Sequence, residues 1–361
     1  MAIHLIRSPF YITGNTSSPN AVYAELELRI STYPIYTIKK NKDTANRVLF
    51  EISELLRDYL YVNYDSVGTH SLPFDFTLTW KDANGGFITA SGGSGFISDG
   101  YGYFEQGYNP ISQKALLQSN SVTYRLQDSD VRIPVDVNEA TKVVYISNGK
   151  IIKEYPIASQ TDKAISYVGS NIDSFKERVT TDGGVYEYND CIFKFDGSVD
   201  LNKVDTIRVF TSNGFEDTQV KTISECRYAP IKLSFVNRYG AIQELWFFRK
   251  SIESLSSTSE KYKSNITTLF GSYDTKEHQI RNFNVQSNSK ITLNTGYVDE
   301  SYNEPMKELM QSERVWIEID NVVKPMNLTT RNLTFKTRAN DKLVDYTIEL
   351  DYAFDGIQNV R

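Results

Sequence analysis

Residues 342–354 read Lys-Leu-Val-Asp-Tyr-Thr-Ile-Glu-Leu-Asp-Tyr-Ala-Phe. Val344, Tyr346, Ile348, Leu350, Tyr352 and Phe354 fall on one side of an alternation, and Asp345, Thr347, Glu349 and Asp351 on the other. Successive side chains of a strand point to opposite faces, so this segment writes one packed face and one solvated face. That pattern belongs to an antiparallel, half-buried strand, not to a parallel strand covered on both sides. The expected fold class follows from it: mainly β, with two to three antiparallel β-sandwich or barrel-like domains and a few short helices.

The same period recurs upstream. Leu26, Leu28 and Ile30 alternate with Glu25, Glu27 and Arg29, and Phe74, Phe76, Leu78 and Trp80 alternate with Asp75, Thr77 and Thr79. Asn84-Gly85 has hairpin-turn chemistry, with a return strand expected over 87–90. The glycine-dense run 91–109 reads as a loop, and 111–117 as one or two helical turns. Between them, Val48, Phe50 and Ile52 lead into Leu55, Leu56, Tyr59 and Leu60 at helical spacing, which predicts a helix over 54–62 capped by Ser53.

From Val122 onward, short strands are expected at 131–135, 142–147, 151–156, 192–195 and 206–210. Turn pairs such as Asn148-Gly149, Asp182-Gly183 and Asn213-Gly214 separate them, a spacing that suits a sandwich or barrel. Ile231, Leu233 and Phe235 then pair through Asn237-Arg238-Tyr239-Gly240 with 242–248. The Ser- and Lys-rich stretch 251–265 reads as an exposed loop. A helix is expected from Asn303, with Met306, Leu309 and Met310 on one face. Strands at 314–319 and 332–336 and the terminal strand complete a sheet, with Asp320-Asn321 as a turn. A length of 361 residues exceeds what one core usually supports. The expected division is 1–130, 131–228 and 229–361, the first and last each with one short helix.

Composition narrows the function classes. The chain has 24 Tyr beside 19 Phe and 3 Trp, a bias that favours sheets and extensive interfaces. Net charge is −6 with both signs interspersed, which argues against nucleic acid as the main partner. The longest apolar runs are too short to cross a bilayer, so no membrane role is expected. The first ten residues lack the h-region and cleavage site of a signal peptide. Cys191 and Cys226 are the two cysteines, read as reduced thiols, with a single disulfide as the alternative.

The sequence offers no constellation that would carry a reaction. His4, His70 and His278 lie far apart without a second ligand at short spacing, and fit surface or satisfied core positions. No G-x-S-x-G elbow, Walker loop or H-E-x-x-H helix occurs. Gly92-Gly93-Ser94-Gly95 lacks the Lys-Ser/Thr of a phosphate loop. Asp128-Ser129-Asp130 and Asp196-Gly197-Ser198-Val199-Asp200 offer oxygens but complete no EF-hand, and read as turns. No catalytic, cofactor-binding or metal residue is therefore assigned, and no cofactor or enzymatic activity is expected.

The most suggestive segment is 96–108. Tyr101, Tyr103, Phe104 and Tyr108 are interleaved there with Gly100, Gly102 and Gly107. Rings on a glycine-permissive loop can fold back on their own sheet, dock into a partner subunit, or stack on a glycan. All three readings are open at this level.

Several phrases carry a family likeness. They are Ile6-Arg7-Ser8-Pro9-Phe10-Tyr11-Ile12, then Phe50 to Tyr59, then Phe235-Val236-Asn237-Arg238-Tyr239-Gly240 leading to Leu245-Trp246-Phe247-Phe248. Leu293 to Tyr297 and Ser312-Glu313-Arg314-Val315-Trp316 complete the set. Together they resemble virion structural proteins of tailed bacteriophages of marine or crAss-like type, over about the outer two thirds of the chain. The resemblance implies a cysteine-poor assembly subunit made in the host cytoplasm and located in the virion. It would stand in a tail, neck ring or baseplate, in a symmetric homo-oligomer with other virion proteins as partners. A fibre or host-surface glycan-binding module is the alternative, and a glycan depolymerase the third reading.

Overall fold

The computed structural model describes residues 2–65, 70–107, 111–112, 114–127, 129, 131–157, 164–168, 178–181, 185–188, 191–194, 201–224, 227–335, 343–354 and 356. The fold is mainly β, 53% strand and 8% helix, in several separate and mostly antiparallel sheets, none closed into a barrel. Two compact units divide the chain. One comprises Met1–Ser224, Ser234–Leu245 and Ser301–Glu313, and the other Glu225–Leu233, Trp246–Glu300 and Arg314–Arg361.

The first unit opens with β1 (Ile3–Leu5), β2 (Tyr11–Asn15), β3 (Tyr23–Ile30), β4 (Tyr36–Asn41) and β5 (Arg47–Glu51). Helix α1 (Ser53–Arg57), β6 (Ser71–Lys81), β7 (Phe87–Ser98) and β8 (Ile111–Ser112) follow. A six-stranded sheet runs in the order β4-β3-β6-β7-β1-β8, while β2 and β5 pair separately. Leu26, Leu28, Ile30, Leu78 and Trp80 pack with Val48, Phe50, Ile52 and Leu56 in one core.

Three expectations change here. The segment 91–98 is no loop, because β7 continues through it, paired with β6 from Ser91 opposite Leu78 to Ser98 opposite Ser71. A Cβ on Gly93 would stand 2.8 Å from Cε1 of Phe76, and one on Gly92 2.8 Å from the Phe76 carbonyl. The glycines leave room for the aromatic strand beside them. The helix is also shorter than 54–62: beyond Arg57 the amides of Tyr59 and Leu60 bond the carbonyls three residues back. Ser53 does not cap it. Its amide and hydroxyl both donate to the Glu51 carboxylate, and Ile52 holds the cap position. Finally, the described residues of 111–117 form no helical turn: Ile111–Ser112 is a strand, and Leu116 bridges Val135.

The rest of this unit includes β9 (Val122–Leu126), β10 (Ile133–Asp136), β11 (Ala140–Ser147), β12 (Lys150–Pro156) and β13 (Ile165–Val168). After them come β14 (Arg178–Thr181), β15 (Val185–Tyr188), β16 (Cys191–Lys194), β17 (Thr206–Thr211) and β18 (Phe215–Ile223). A five-stranded sheet has the order β12-β11-β17-β18-β9, and β14, β15 and β16 form a three-stranded one. Val143, Tyr145, Ile207 and Val209 pack against Ile133, Val135 and Val168 of the β10–β13 pair. Asn148-Gly149 makes the tight turn its composition predicts, with φ of 48° and 73°. Strand β16 overlaps the expected 192–195, whereas Asp182-Gly183 and Cys226 lie outside the described residues.

Two strands, β19 (Ile231–Val236) and β20 (Ile242–Phe247), contain unit boundaries. The others are β21 (Ile252–Lys263), β22 (Ile280–Asn294), β23 (Val298–Asp299), β24 (Val315–Ile319), β25 (Val322–Leu328), β26 (Leu343–Val344) and β27 (Thr347–Tyr352). A seven-stranded sheet runs β20-β19-β24-β25-β27-β22-β21. Helix α2 (Asn303–Gln311) belongs to the first unit. It starts at Asn303, with Tyr302 in the cap position, so Asn303 is not its cap.

The terminal segment behaves as its period predicts, with two refinements. Val344, Tyr346, Ile348, Leu350 and Tyr352 are buried, but Phe354 lies past the end of β27 and is 49% exposed. Residues 345–346 interrupt the strand, where Tyr346 bonds Thr295 through its amide and carbonyl. Both edges of β27 are filled, since Leu350 faces Leu328 on one side and Ile291 on the other. No place beside it remains for the strand expected at 332–336, and residues 332–335 form none. The expected loop 251–265 is instead β21, hydrogen-bonded to β22 through most of its length. Asp320-Asn321 forms the expected turn, with φ of 52° and 61°.

Burial on one face of β27 sets a clear contrast. I348A removes a fully buried branched side chain and should cost about 2–5 kcal/mol. E349A, on the exposed face, should stay within about 0.5 kcal/mol of wild type. Urea denaturation of the two variants measures both, and equal losses would remove the one-face assignment.

Candidate functional site

Within the first unit, the segment after β7 is shaped by two close backbone crossings. The Tyr101 amide donates to the Arg238 carbonyl (2.8 Å), and the Arg7 amide to the Gly100 carbonyl (2.8 Å). A Cβ on Gly100 would lie 2.5 Å from the Arg238 oxygen, so only glycine fits. Gly240 has φ of +78°, and a Cβ there would lie 2.7 Å from the Asp99 nitrogen. The Ser8 hydroxyl accepts the Gly102 amide at 2.8 Å. A 3-10 turn, Phe104–Gln106, follows, with Gln106 Oε1 accepting the Tyr103 amide at 2.8 Å.

This frame decides where the aromatic residues go. Tyr101 and Tyr103 meet edge to face, 5.8 Å between centroids. The Arg7 guanidinium lies 5.1 Å from the Tyr101 centroid. Arg238 and Lys307 lie 4.5 and 3.8 Å from that of Tyr103. Such contacts place cations on the negative ring faces. The Tyr103 hydroxyl donates to Glu304 Oε1 at 2.7 Å. Burial raises both phenol pKa values, with the Glu304 hydrogen bond adding to the effect at Tyr103. Phe104 is separate from this cluster and fully exposed. Tyr108 lies outside the described residues. The structure thus brings two of the four residues together and turns them onto the protein's own α2 and 238–240 turn.

Behind the rings sits a carboxylate that sequence reading missed. Glu308 on α2 is fully buried. It accepts the Ser119 hydroxyl on Oε1 and the Arg238 amide on Oε2 (3.3 Å). Burial pushes its pKa up to about 7, against the opposing pull of those hydrogen bonds and of Arg238. Nearby, Arg57 pairs with Asp99 (3.3 Å) and Glu313 (2.6 Å), and Arg7 also pairs with Glu313 (3.2 Å). The available signal was Glu304, Lys307 and Glu308 at three- and four-residue spacing on one helix.

The histidines occupy ordinary structural places. His70 is buried between the Tyr167 hydroxyl and the Asn63 carbonyl, each 2.7 Å from a ring nitrogen. Its pKa is pushed down to about 3, mainly by burial. His4 stacks near Phe10 and Phe74, and His278 is exposed. No group of three or more His, Cys, Asp or Glu placed to hold a metal is found among the described residues. The aspartates of 128–130 and 196–200 lie outside them. No described helix is long and apolar enough to cross a membrane.

In the second unit, a groove of about 400 Å³ is lined by Ser256, Gln286, Asn288, Asn327, Tyr352 and Phe354, among others. The larger surface feature of that unit is the β21–β22 ribbon. Every residue of β21 is exposed, as are residues 280–286 of β22. Tyr262 and Phe283 meet edge to face at 5.6 Å, while Leu269 and Phe270, between the two strands, are almost fully exposed. No protein-family model matches the sequence, and no curated protein is similar to it.

Glu308 makes the first unit's stability depend on pH. The folded protein keeps its proton to about pH 7, whereas the unfolded chain releases it near 4.5. The folded state therefore binds more protons in that window, and stability falls as pH rises from about 4.5 to 7. Asp136, raised by burial from 3.8 to about 7, adds the same sign. His70 has the opposite sign, its contribution falling as pH drops from 6.5 towards 3. E308Q should remove a decline on the order of 3 kcal/mol between those limits. Thermal melts of E308Q and wild type across that range test it, and parallel profiles would exclude Glu308 as the source.

Proposed function

We propose that this chain is a non-enzymatic structural subunit of a tailed-bacteriophage virion, part of a tail, neck ring or baseplate. It works through protein–protein contacts in a symmetric homo-oligomer, with other virion proteins as further partners. The observation that carries this reading is the β21–β22 ribbon. A two-stranded ribbon is marginal alone in water, and this one exposes both strands over most of their length. It also displays Leu255, Tyr262, Leu269, Phe270 and Phe283. Exposed apolar groups on an extended arm gain from a partner that covers them. The phage-like phrases of the sequence and its tyrosine excess support the same reading.

One observation favours the glycan-binding alternative. Phe104 offers a fully exposed ring on a turn fixed by Tyr103 and Gln106. Glycan binding by the isolated protein that is lost in F104A would support that reading. The Tyr101 and Tyr103 rings are already engaged by Arg7, Arg238 and Lys307.

Mass measurement and negative-stain imaging of the full chain test the assembly reading, with a ring or sleeve as the expected outcome. L269S/F270S should weaken assembly at least about tenfold, since each removes an apolar contact worth 1 kcal/mol or more. Circular dichroism should stay unchanged. A chain that remains monomeric alone and with other virion proteins would overturn the reading.

A further inference from the structure

We infer that β21 is a self-complementary edge, and that two copies of this chain pair antiparallel through it across a two-fold axis. The inference deepens the assembly reading by naming the partner of the arm's free edge.

Strand β21 ends the seven-stranded sheet and pairs only with β22 among the described residues. Its outward backbone groups therefore face no strand among the described residues. Proteins commonly blunt such an edge with proline, charge or a bulge on the edge strand. Here the strand has no proline, and residues 254–259, Ser-Leu-Ser-Ser-Thr-Ser, carry no charge. A register shift does occur, but it lies in β22. Thr258 faces Gln286 and Glu260 faces Phe283, so Ser259 alone spans Asn284 and Val285. Asn284 has φ of 49°, the strained position of that bulge. Strand β21 runs through without an inserted residue and keeps its pleat.

Charge and apolar pairing together favour one register. With Ser257 opposite its own copy, Glu253 meets Lys261 of the second copy, twice by symmetry. On the other face Ile252 meets Tyr262, and Ser256 meets Thr258. No like charges stand opposite each other. Opposed residues of an antiparallel pair share a face, so the neighbouring two-fold registers differ by two in the sum of paired positions. Two lower sets Glu253 against Ser259, and two higher gives it Lys263 but sets Ile252 against Ser264 and Tyr262 against Ser254. Lys261 has no ion-pair partner among the described residues, whereas Glu253 also accepts the Tyr352 hydroxyl. The chemistry is isologous: one strand supplies both halves of the contact, as a two-fold interface requires.

The test uses the full chain in sedimentation and oxidative cross-linking. K261E places two carboxylates opposite each other at both ends and should weaken the β21 contact about 10–100-fold. E253K should do the same, and E253K/K261E should restore it. S257C puts two thiols directly opposite, at roughly 4.5–5.5 Å between Cβ atoms, and should give a disulfide-linked dimer. Wild type, with Cys191 and Cys226, and S254C, opposite Glu260, should not. Loss with K261E, rescue by the swap and a specific S257C cross-link support the proposal. No cross-link, or association indifferent to K261E, overturns it. If rings or co-assembly with other virion proteins persist in that case, the assembly reading stands while the edge pairing fails.

Discussion

A strand has two faces and two edges, and each must be satisfied by something. That constraint organises this protein. Strand β27 meets it fully: one face lies in the core, the other carries polar side chains, and both edges are paired. Its polar face is also locally engaged. Asn294 donates to the Thr347 hydroxyl at 2.7 Å, and Lys290 lies 3.5 Å from Asp351. These exposed contacts are each worth little, so the strand owes its place to Ile348 and Leu350 more than to its charges.

Where side chains cannot satisfy the geometry, their absence does. Gly92 and Gly93 let β7 lie against Phe76, and Gly100 and Gly240 let separate backbone segments nearly touch. The second pair fixes the orientation of the Arg238 amide and carbonyl. The carbonyl holds the Tyr101 amide, and the Arg238 amide reaches Glu308. A buried carboxylate is tolerated there because hydrogen-bond donors surround it, and its raised pKa records the remaining desolvation cost. The aromatic loop is thus held from below by a charged network, which explains why Tyr101 and Tyr103 face inward.

Legibility in the sequence follows the same physics. Val344 to Tyr352 could be read because burial on one face imposes a period of two. The turns at Asn148-Gly149 and Asp320-Asn321 could be read because left-handed backbone selects those residues. The glycine strand could not, since its reason is the ring of Phe76 on a neighbouring strand. Nor could β21: exposed on both faces, it has no apolar period, and its serines look like a loop. Glu308 was missed because a charge in an amphipathic helix ordinarily marks the wet face. At the candidate site, the segment was legible from its aromatic and glycine content. The orientation of its rings was not, because Arg7, Arg238 and Lys307 reach them from distant parts of the chain.

The tyrosine excess now divides into two uses. Tyr145, Tyr155, Tyr167, Tyr302 and Tyr346 are core residues. Tyr33, Tyr61, Tyr262, Tyr273 and Tyr297 are exposed, and although Tyr33 meets Tyr59 and Tyr262 meets Phe283, much of their ring surface stays in water. Core packing alone would account for the first group and leave the second unexplained. A chain that covers further surface on assembly accounts for both, because tyrosine buries area at low entropic cost while keeping a polar tip for the unassembled state. The edge of β21, which no described strand covers, makes the same demand through backbone rather than side chain. Two independent features, one of composition and one of topology, therefore support the proposed assembly by the same physical argument.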